Sequence, residues 1–161
     1  MKKTLPILLL FLLILLSCDS AVLRTTELPE NTGYAFFHVI MGGSAKGASF
    51  LLYEKGAMRK TAYLSVNHGE SVTAFYANPA KTYEIARIEC NGAMGPVRGI
   101  TNIKAQPGKL NYCGTIELTA NWRAYSVKKH EGPQNYAKAV EYFKTINPTL
   151  ASKYEFVDSS R

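Results

Sequence analysis

Residues 60–67, Lys-Thr-Ala-Tyr-Leu-Ser-Val-Asn, lead through His68 and Gly69 into residues 70–76, Glu-Ser-Val-Thr-Ala-Phe-Tyr. In the first arm Thr61, Tyr63 and Ser65 alternate with Ala62, Leu64 and Val66. A period of two places successive side chains on opposite faces, the mark of a half-buried strand. Asn67-His68-Gly69-Glu70 is a turn signal, with glycine where a positive φ is wanted. Ser71 to Tyr76 then reads as the partner strand. The stretch predicts a β-hairpin and sets the expectation for the whole chain.

The same grammar extends in both directions. Upstream, Tyr34–Ile40 and Ser49–Glu54 are rich in branched and aromatic residues and read as strands, with a glycine-rich loop over Met41–Gly47. Downstream, Asn78-Pro79-Ala80-Lys81 is a turn. Thr82–Cys90 is a strand with no cleanly apolar face, and Asn91–Pro96 is a loop. Ile100–Ala105, Leu110–Thr119 and Trp122–Lys128 read as further strands, the first two separated by the turn Gln106-Pro107-Gly108-Lys109. The period changes after Pro133, where Tyr136, Ala139, Val140 and Phe143 fall at helical spacing and Pro148 closes the pattern. Tyr154–Val157 reads as a last short strand or an apolar contact. The expected fold is mainly β: an antiparallel β-sandwich of about seven to eight strands with one C-terminal amphipathic helix over residues 133–147.

Composition bounds the function. The 161 residues are 47% hydrophobic and 19% charged, which suits one globular domain and excludes collagen-like, coiled-coil and low-complexity chains. The formal charge is +7. The basic residues are dispersed, with Lys128-Lys129-His130 and Arg59-Lys60 the densest points. Nucleic-acid binding calls for a basic stripe with interleaved aromatics, so no nucleic-acid partner is expected.

The first residues read as an address. Lys2 and Lys3 precede an apolar run, Leu5–Leu16, broken by Pro6. The run is shorter than the roughly 20 residues of a membrane-spanning helix and suits the core of a secretory signal. It ends in Leu15-Leu16-Ser17-Cys18, which resembles the bacterial lipobox. That resemblance implies a cleaved lipoprotein signal peptide over residues 1–17, with diacylglycerol on the Cys18 sulfur and an N-acyl lipid on its amine. Several acyl chains hold a protein stably at a bilayer, whereas one gives marginal attachment. Loss of Lys2 and Lys3 lowers Lys plus Arg from 19 to 17 against 12 acids, a mature excess of five. An ordinary signal peptide with a chance cysteine and a short membrane anchor are the competing readings. Asp19 resembles the inner-membrane retention signal of enteric lipoproteins. The expected location is the cell envelope, facing the periplasm, with the outer membrane as the alternative to the inner. Residues 18–32 are then a lipidated N-terminus and tether, and residues 33–161 the folded domain.

With Cys18 lipidated, Cys90 and Cys113 remain as an even pair in an oxidising compartment. A disulfide between them is expected. It would close a 24-residue loop counted from 90 to 113, stabilising by roughly 3.5 kcal/mol in the chain-entropy model. Two buried free thiols are the alternative.

Pro79-Ala80-Lys81-Thr82-Tyr83 together with residues 107–116, Pro-Gly-Lys-Leu-Asn-Tyr-Cys-Gly-Thr-Ile, resembles a group of small bacterial lipoproteins. These pair a β-sandwich similar to PEGA and transthyretin-like modules with a short C-terminal helix. The resemblance implies a fold and carries no chemistry.

Catalytic signatures are missing from the sequence. Gly42 and Gly47 have phosphate-loop spacing, but Ala48 stands where the loop needs lysine. There is no Gly-x-Ser-x-Gly elbow and no His-Glu-x-x-His, so no catalytic residue, metal ligand or cofactor is assigned beyond the lipid on Cys18. Carboxylates such as Glu70 and Glu117, or Glu84 and Glu89, stay unplaced relative to one another. Tyr112, Trp122 and Tyr125 lie close in the chain and are candidate contacts for a glycan or protein partner. The resulting expectation is a lipid-anchored, non-catalytic binding or scaffolding module. Two alternatives stand beside it: a peptidoglycan-directed hydrolase or hydrolase inhibitor, and a membrane-anchoring subunit of a secretion or appendage complex.

Overall fold

The structure is a computed structural model, and it describes residues 24–122 and 124–161. Residues 1–17 and Cys18 lie outside the described residues. Nine strands are described: β1 (Gly33–Gly43), β2 (Gly47–Glu54), β3 (Lys60–Asn67), β4 (Gly69–Ala77), β5 (Tyr83–Cys90), β6 (Ala93–Pro96), β7 (Leu110–Ala120), β8 (Tyr125–His130) and β9 (Phe156–Asp158). Two helices, α1 (Pro133–Ile146) and α2 (Pro148–Lys153), come between β8 and β9.

The strands form two sheets. The first runs β4-β1-β7-β8, with β9 also paired to β7, and the second runs β3-β2-β5-β6. Their inward faces share one core, to which β1 gives Phe37 and Val39, β2 gives Phe50 and Leu52, β5 gives Ile85 and Ile88, and β7 gives Ile116 and Leu118. The expected all-antiparallel pairing needs correction. β7 runs parallel to β1 and to β9, so the first sheet is mixed. The long stretch β2 to β6, which enters sheet two, returns to sheet one as β4 and enters sheet two again, lets β7 come back beside β1 in the same direction, as parallel neighbours require a crossover.

The hairpin expected over residues 60–76 is also corrected. Both arms are strands, but β3 pairs with β2 and β4 pairs with β1. His68 alone separates them. Its N–H donates to Lys46 O (3.0 Å), which ties this connection to the β1–β2 connection. The chain therefore crosses between sheets twice at the same end of the molecule. Period two marks which residues are half-buried, and it does not say across which neighbour the strand is laddered.

β5 shows why its alternation was poor. Leu51 faces Arg87 while the adjacent Leu52 faces Ile85, so Ala86 is the extra residue of a bulge. The bulge turns both Ile85 and Ile88 to the core at a spacing of three. Asn91 and Gly92 have φ of 52° and 76°, the positive pair of a two-residue hairpin turn. They fold β6 back on β5 where a loop was expected. Residues 100–105 make only a single bridge, Ile103 to Tyr83, in place of the expected strand. Ile100 and Ile103 are nevertheless buried core residues, as expected.

The outer face of sheet one carries a second core. Tyr34, Phe36, Leu110 and Tyr112 of the sheet pack against Ala139 and Phe143 of α1 and Leu150 of α2. Phe143 meets the Phe36 ring at 4.8 Å and the Tyr34 ring edge-on at 5.8 Å. Pro148 ends α1 and starts α2, whose N-cap Asn147 accepts from Leu150 N–H (2.9 Å). No helix among the described residues is long and apolar enough to cross a membrane.

Candidate functional site

One end of the two-sheet body gathers the β1–β2 connection (Ser44 to Lys46), His68 between β3 and β4, the Asn91–Gly92 turn and the β7–β8 turn that carries Trp122. Hydrogen bonds lace the β1–β2 connection, His68 and the β7–β8 turn together. Ala45 N–H donates to Ala120 O (3.1 Å), and Ser44 N–H and Oγ donate to Asn121 Oδ1 (3.0 and 3.3 Å). Asn121 N–H closes the turn onto Ala124 O (2.8 Å), and His68 Nε2 bonds Gly43 O (3.1 Å). The sequence permits this closeness because position 43 is glycine. Its φ is +98°, and a Cβ there would lie 2.2 Å from Ala120 O. From this braced base the Trp122 side chain projects with 82% of its surface exposed. Lys46, Asn67, His68 and Asn91 are exposed around the same end.

The other two aromatic candidates do not join it. Tyr125 spans the gap between sheets: its hydroxyl donates to Pro96 O of β6 (2.7 Å) and its ring fills the space where Gly95 lacks a side chain. It is a brace. Tyr112 is completely buried beneath α1, its hydroxyl 2.8 Å from Thr115 Oγ1, and no partner can reach it. Burial raises its pKa to about 12. Proximity in the chain placed the three together, but Tyr112 lies eight or more residues away along β7, roughly 25 Å from the turn.

A second constellation was illegible in the sequence. On the outer face of sheet one, beyond α1, Glu70, Ile40, Glu117 and Lys128 form one lateral row across β4, β1, β7 and β8. Val72, His38, Thr115 and His130 form the next. His38 is buried; its Nε2 meets Glu70 Oε1 at 2.7 Å and its Nδ1 meets Thr115 Oγ1 at 3.3 Å. Tyr142 of α1 lies over the imidazole, rings 5.5 Å apart, and donates its hydroxyl to Glu70 O (2.8 Å). His130 Nε2 meets Glu117 Oε2 at 3.0 Å in the open.

A carboxylate, an imidazole and a hydroxyl in line are the parts of an acyl-transfer relay. Here the Thr115 hydroxyl is buried and already bonded to Tyr112, and His38 is capped by Tyr142. The line pins α1 to the sheet, and its nucleophile cannot meet a substrate carbon. Glu70 and Glu117 sit two strands apart, roughly 10 Å between backbones, on either side of exposed Ile40. They face solvent on an open sheet surface. Among the described residues no group of three or more His, Cys, Asp or Glu is placed to hold a metal ion.

The expected Cys90–Cys113 disulfide is corrected: both are free thiols. Cys113 is fully buried on β7, donates to Asn111 O (3.4 Å), and has its pKa pushed up to about 12 by burial, with Lys129 partly opposing. It borders a cavity of about 210 Å³ together with Ile103, Lys129 and Ser160. Cys90 ends β5 at the far end of the body, where its thiol lies 3.6 Å from Gly47 O and burial raises its pKa. Gly47 follows the loop fixed to Ala120, seven residues from Cys113 along β7, or roughly 23 Å. Disulfide bonding needs Cα atoms within about 7 Å.

The segment expected to be a tether is docked over part of its length. Asn147 Nδ2 donates to Thr25 O (3.1 Å), Lys153 Nζ donates to Thr26 O and pairs with Glu27 (both 3.2 Å), and Leu28 N–H donates to Tyr154 Oη (3.1 Å). These contacts fasten residues 25–28 to the helices at the Gly33 end of β1, opposite the Trp122 end. No protein-family model matches the sequence, and no curated protein matches it.

Proposed function

We propose that this protein is a lipid-anchored component of the bacterial cell envelope whose β domain is a non-catalytic binding or scaffolding module. The lipobox-like Leu15-Leu16-Ser17-Cys18 motivates the anchor. The observation that carries the functional reading is the placement of the two ends. Docking of Thr25 leaves seven peptide steps back to Cys18, at most about 25 Å of extended chain. A diacylglyceryl group on Cys18 would hold the Gly33 end of β1 beside the bilayer. The braced, Trp122-bearing end lies some ten residues further along β1, roughly 33 Å away, and would face the aqueous envelope. Asp19 favours the inner membrane. In this reading the cofactor is covalent lipid, and the partner is an envelope protein or glycan. A β-sandwich similar to PEGA and transthyretin-like modules is the finer architecture we infer for the two facing sheets.

The buried, self-satisfied His38–Thr115 line and the open placement of Glu70 and Glu117 favour binding over hydrolysis. Cys18→Ser tests the proposal. The substitution should abolish partition into the detergent phase and release the chain from membranes. Unchanged fractionation of the variant would remove the anchor and with it the orientation.

A further inference from the structure

We infer that the Trp122 end is a recognition surface for an acidic polysaccharide, with the indole as stacking platform and Lys46 as a nearby cation. This deepens the binding-module reading and rests on it for the partner's location. Three observations lead to the class of ligand. First, Trp122 is 82% exposed although the turn beneath it is fixed by hydrogen bonds from Ser44, Ala45 and Asn121. The braced turn fixes the backbone that offers the indole, so presenting it to a ligand costs little backbone ordering. Second, its surroundings are polar. Ser44, Lys46, Asn67, His68 and Asn121 are exposed, and no second large apolar side chain belongs to these connections. The centre of a protein–protein interface is an apolar cluster with depleted charge. A single flat ring in a hydrogen-bonding surround suits instead a pyranose, which has an apolar face and a rim of hydroxyls.

Third, the charge is one-sided. Among the described residues of the four connections themselves, Lys46 and His68 are the basic ones and none is an acid. Such an end attracts carboxylate-bearing chains. An anionic lipid surface would also attract cations and tryptophan. The docked N-terminal segment sits at the opposite end of β1, so anchoring through Cys18 points Trp122 away from the bilayer.

The chain contains one tryptophan, so its fluorescence reports this site alone. The probe is oligogalacturonate, titrated into the mature full-length chain in neutral detergent micelles, with neutral chitooligosaccharide and anionic phospholipid vesicles as parallel arms. The inference predicts a saturable change in Trp122 emission with oligogalacturonate. Its affinity should fall steeply between about 0.05 and about 0.5 M salt as charges are screened. By calorimetry, Trp122→Ala should weaken binding by at least about tenfold and Lys46→Ala by about threefold. Both side chains are solvent-exposed, so both variants should melt as the parent does, and the parent's emission stands as evidence even if one does not. No response to oligogalacturonate, an equal response to the neutral sugar, stronger binding to vesicles, or full affinity in Trp122→Ala would each overturn the inference. None of these outcomes depends on lipid at Cys18, which the fractionation of Cys18→Ser tests separately.

Discussion

Asn111 shows how a single side chain can organise a connection. It is fully buried, donates through Nδ2 to Gln106 O and Lys109 O (both 3.0 Å), and accepts from Gln106 N–H (2.8 Å) and Ser159 Oγ (3.2 Å). It closes the Gln106–Lys109 turn and ties β7 to the C-terminal segment. Asn111→Ala should cost about 3 kcal/mol in denaturant unfolding, since several buried backbone groups lose their partner. Three buried acids set the alkaline limit of the fold. The Cys113 thiol is raised from its ordinary 9.0 to about 12, the Tyr112 phenol from 10.0 to about 12, and Tyr34 is also raised, all chiefly by burial. Between about pH 9 and pH 12 the unfolded chain releases these protons and the folded one holds them. Stability is therefore full below pH 9 and falls as pH rises through that window. Urea midpoints at pH 8 and pH 10.5 should show the decline, and native Cys113 should resist alkylation at pH 8 while the unfolded chain reacts. At this scale the sequence was legible for polarity and poor for partners. That Ile100 and Ile103 would be buried followed from their apolar side chains. That Glu70 would bond His38 depends on β4 pairing with β1, which no local pattern encodes.

Elements follow the same division between local and distant causes. α1 was readable because its stripe is local: Ala139 and Phe143 are buried, Tyr136 and Val140 half-buried, and Pro133 and Pro148 mark its bounds. Phe143→Ala should destabilise by about 4 kcal/mol, because the ring fills the space between α1, Phe36, Tyr34 and Phe156. Loss of near-ultraviolet ellipticity with retained far-ultraviolet signal at intermediate denaturant would show α1 undocking before the sheets part. Gly43→Ala should cost about 3 kcal/mol in the same measurement, through its positive φ and the clash with Ala120 O, and should loosen the Trp122 turn. The β3–β4 connection was misread because alternation specifies which side of a strand is buried, while sheet membership is set by the cross-sheet bonds of His68 to Lys46 and Gly43. The β5–β6 hairpin had a legible cue in Asn91-Gly92, whose positive φ values fit a primed turn. The bulge at Ala86 hid the strand's own alternation.

Across the whole molecule, the two sheets form a body with distinct ends. The Gly33 end is bound to residues 25–28 through Asn147, Lys153 and Tyr154, and the other carries Trp122. Under the proposed lipidation of Cys18 this architecture would give the anchor a direction, with Trp122 facing away from the bilayer. Removing the Thr26 and Glu27 contacts with Lys153→Ala should leave the melting temperature within about 2 °C, since exposed ion pairs contribute little. It should, however, loosen residues 26–27 between the contacts kept at Thr25 and Leu28, which faster limited proteolysis after Arg24 would report. Every statement about orientation depends on the chemistry of Cys18. The most direct test is an intact-mass measurement of the chain isolated from bacterial membranes, with fragmentation of its N-terminal peptide. The account predicts loss of residues 1–17 and a first residue, Cys18, heavier by a diacylglyceryl group and a further acyl chain. An unmodified Cys18, or cleavage at any other bond, would contradict it.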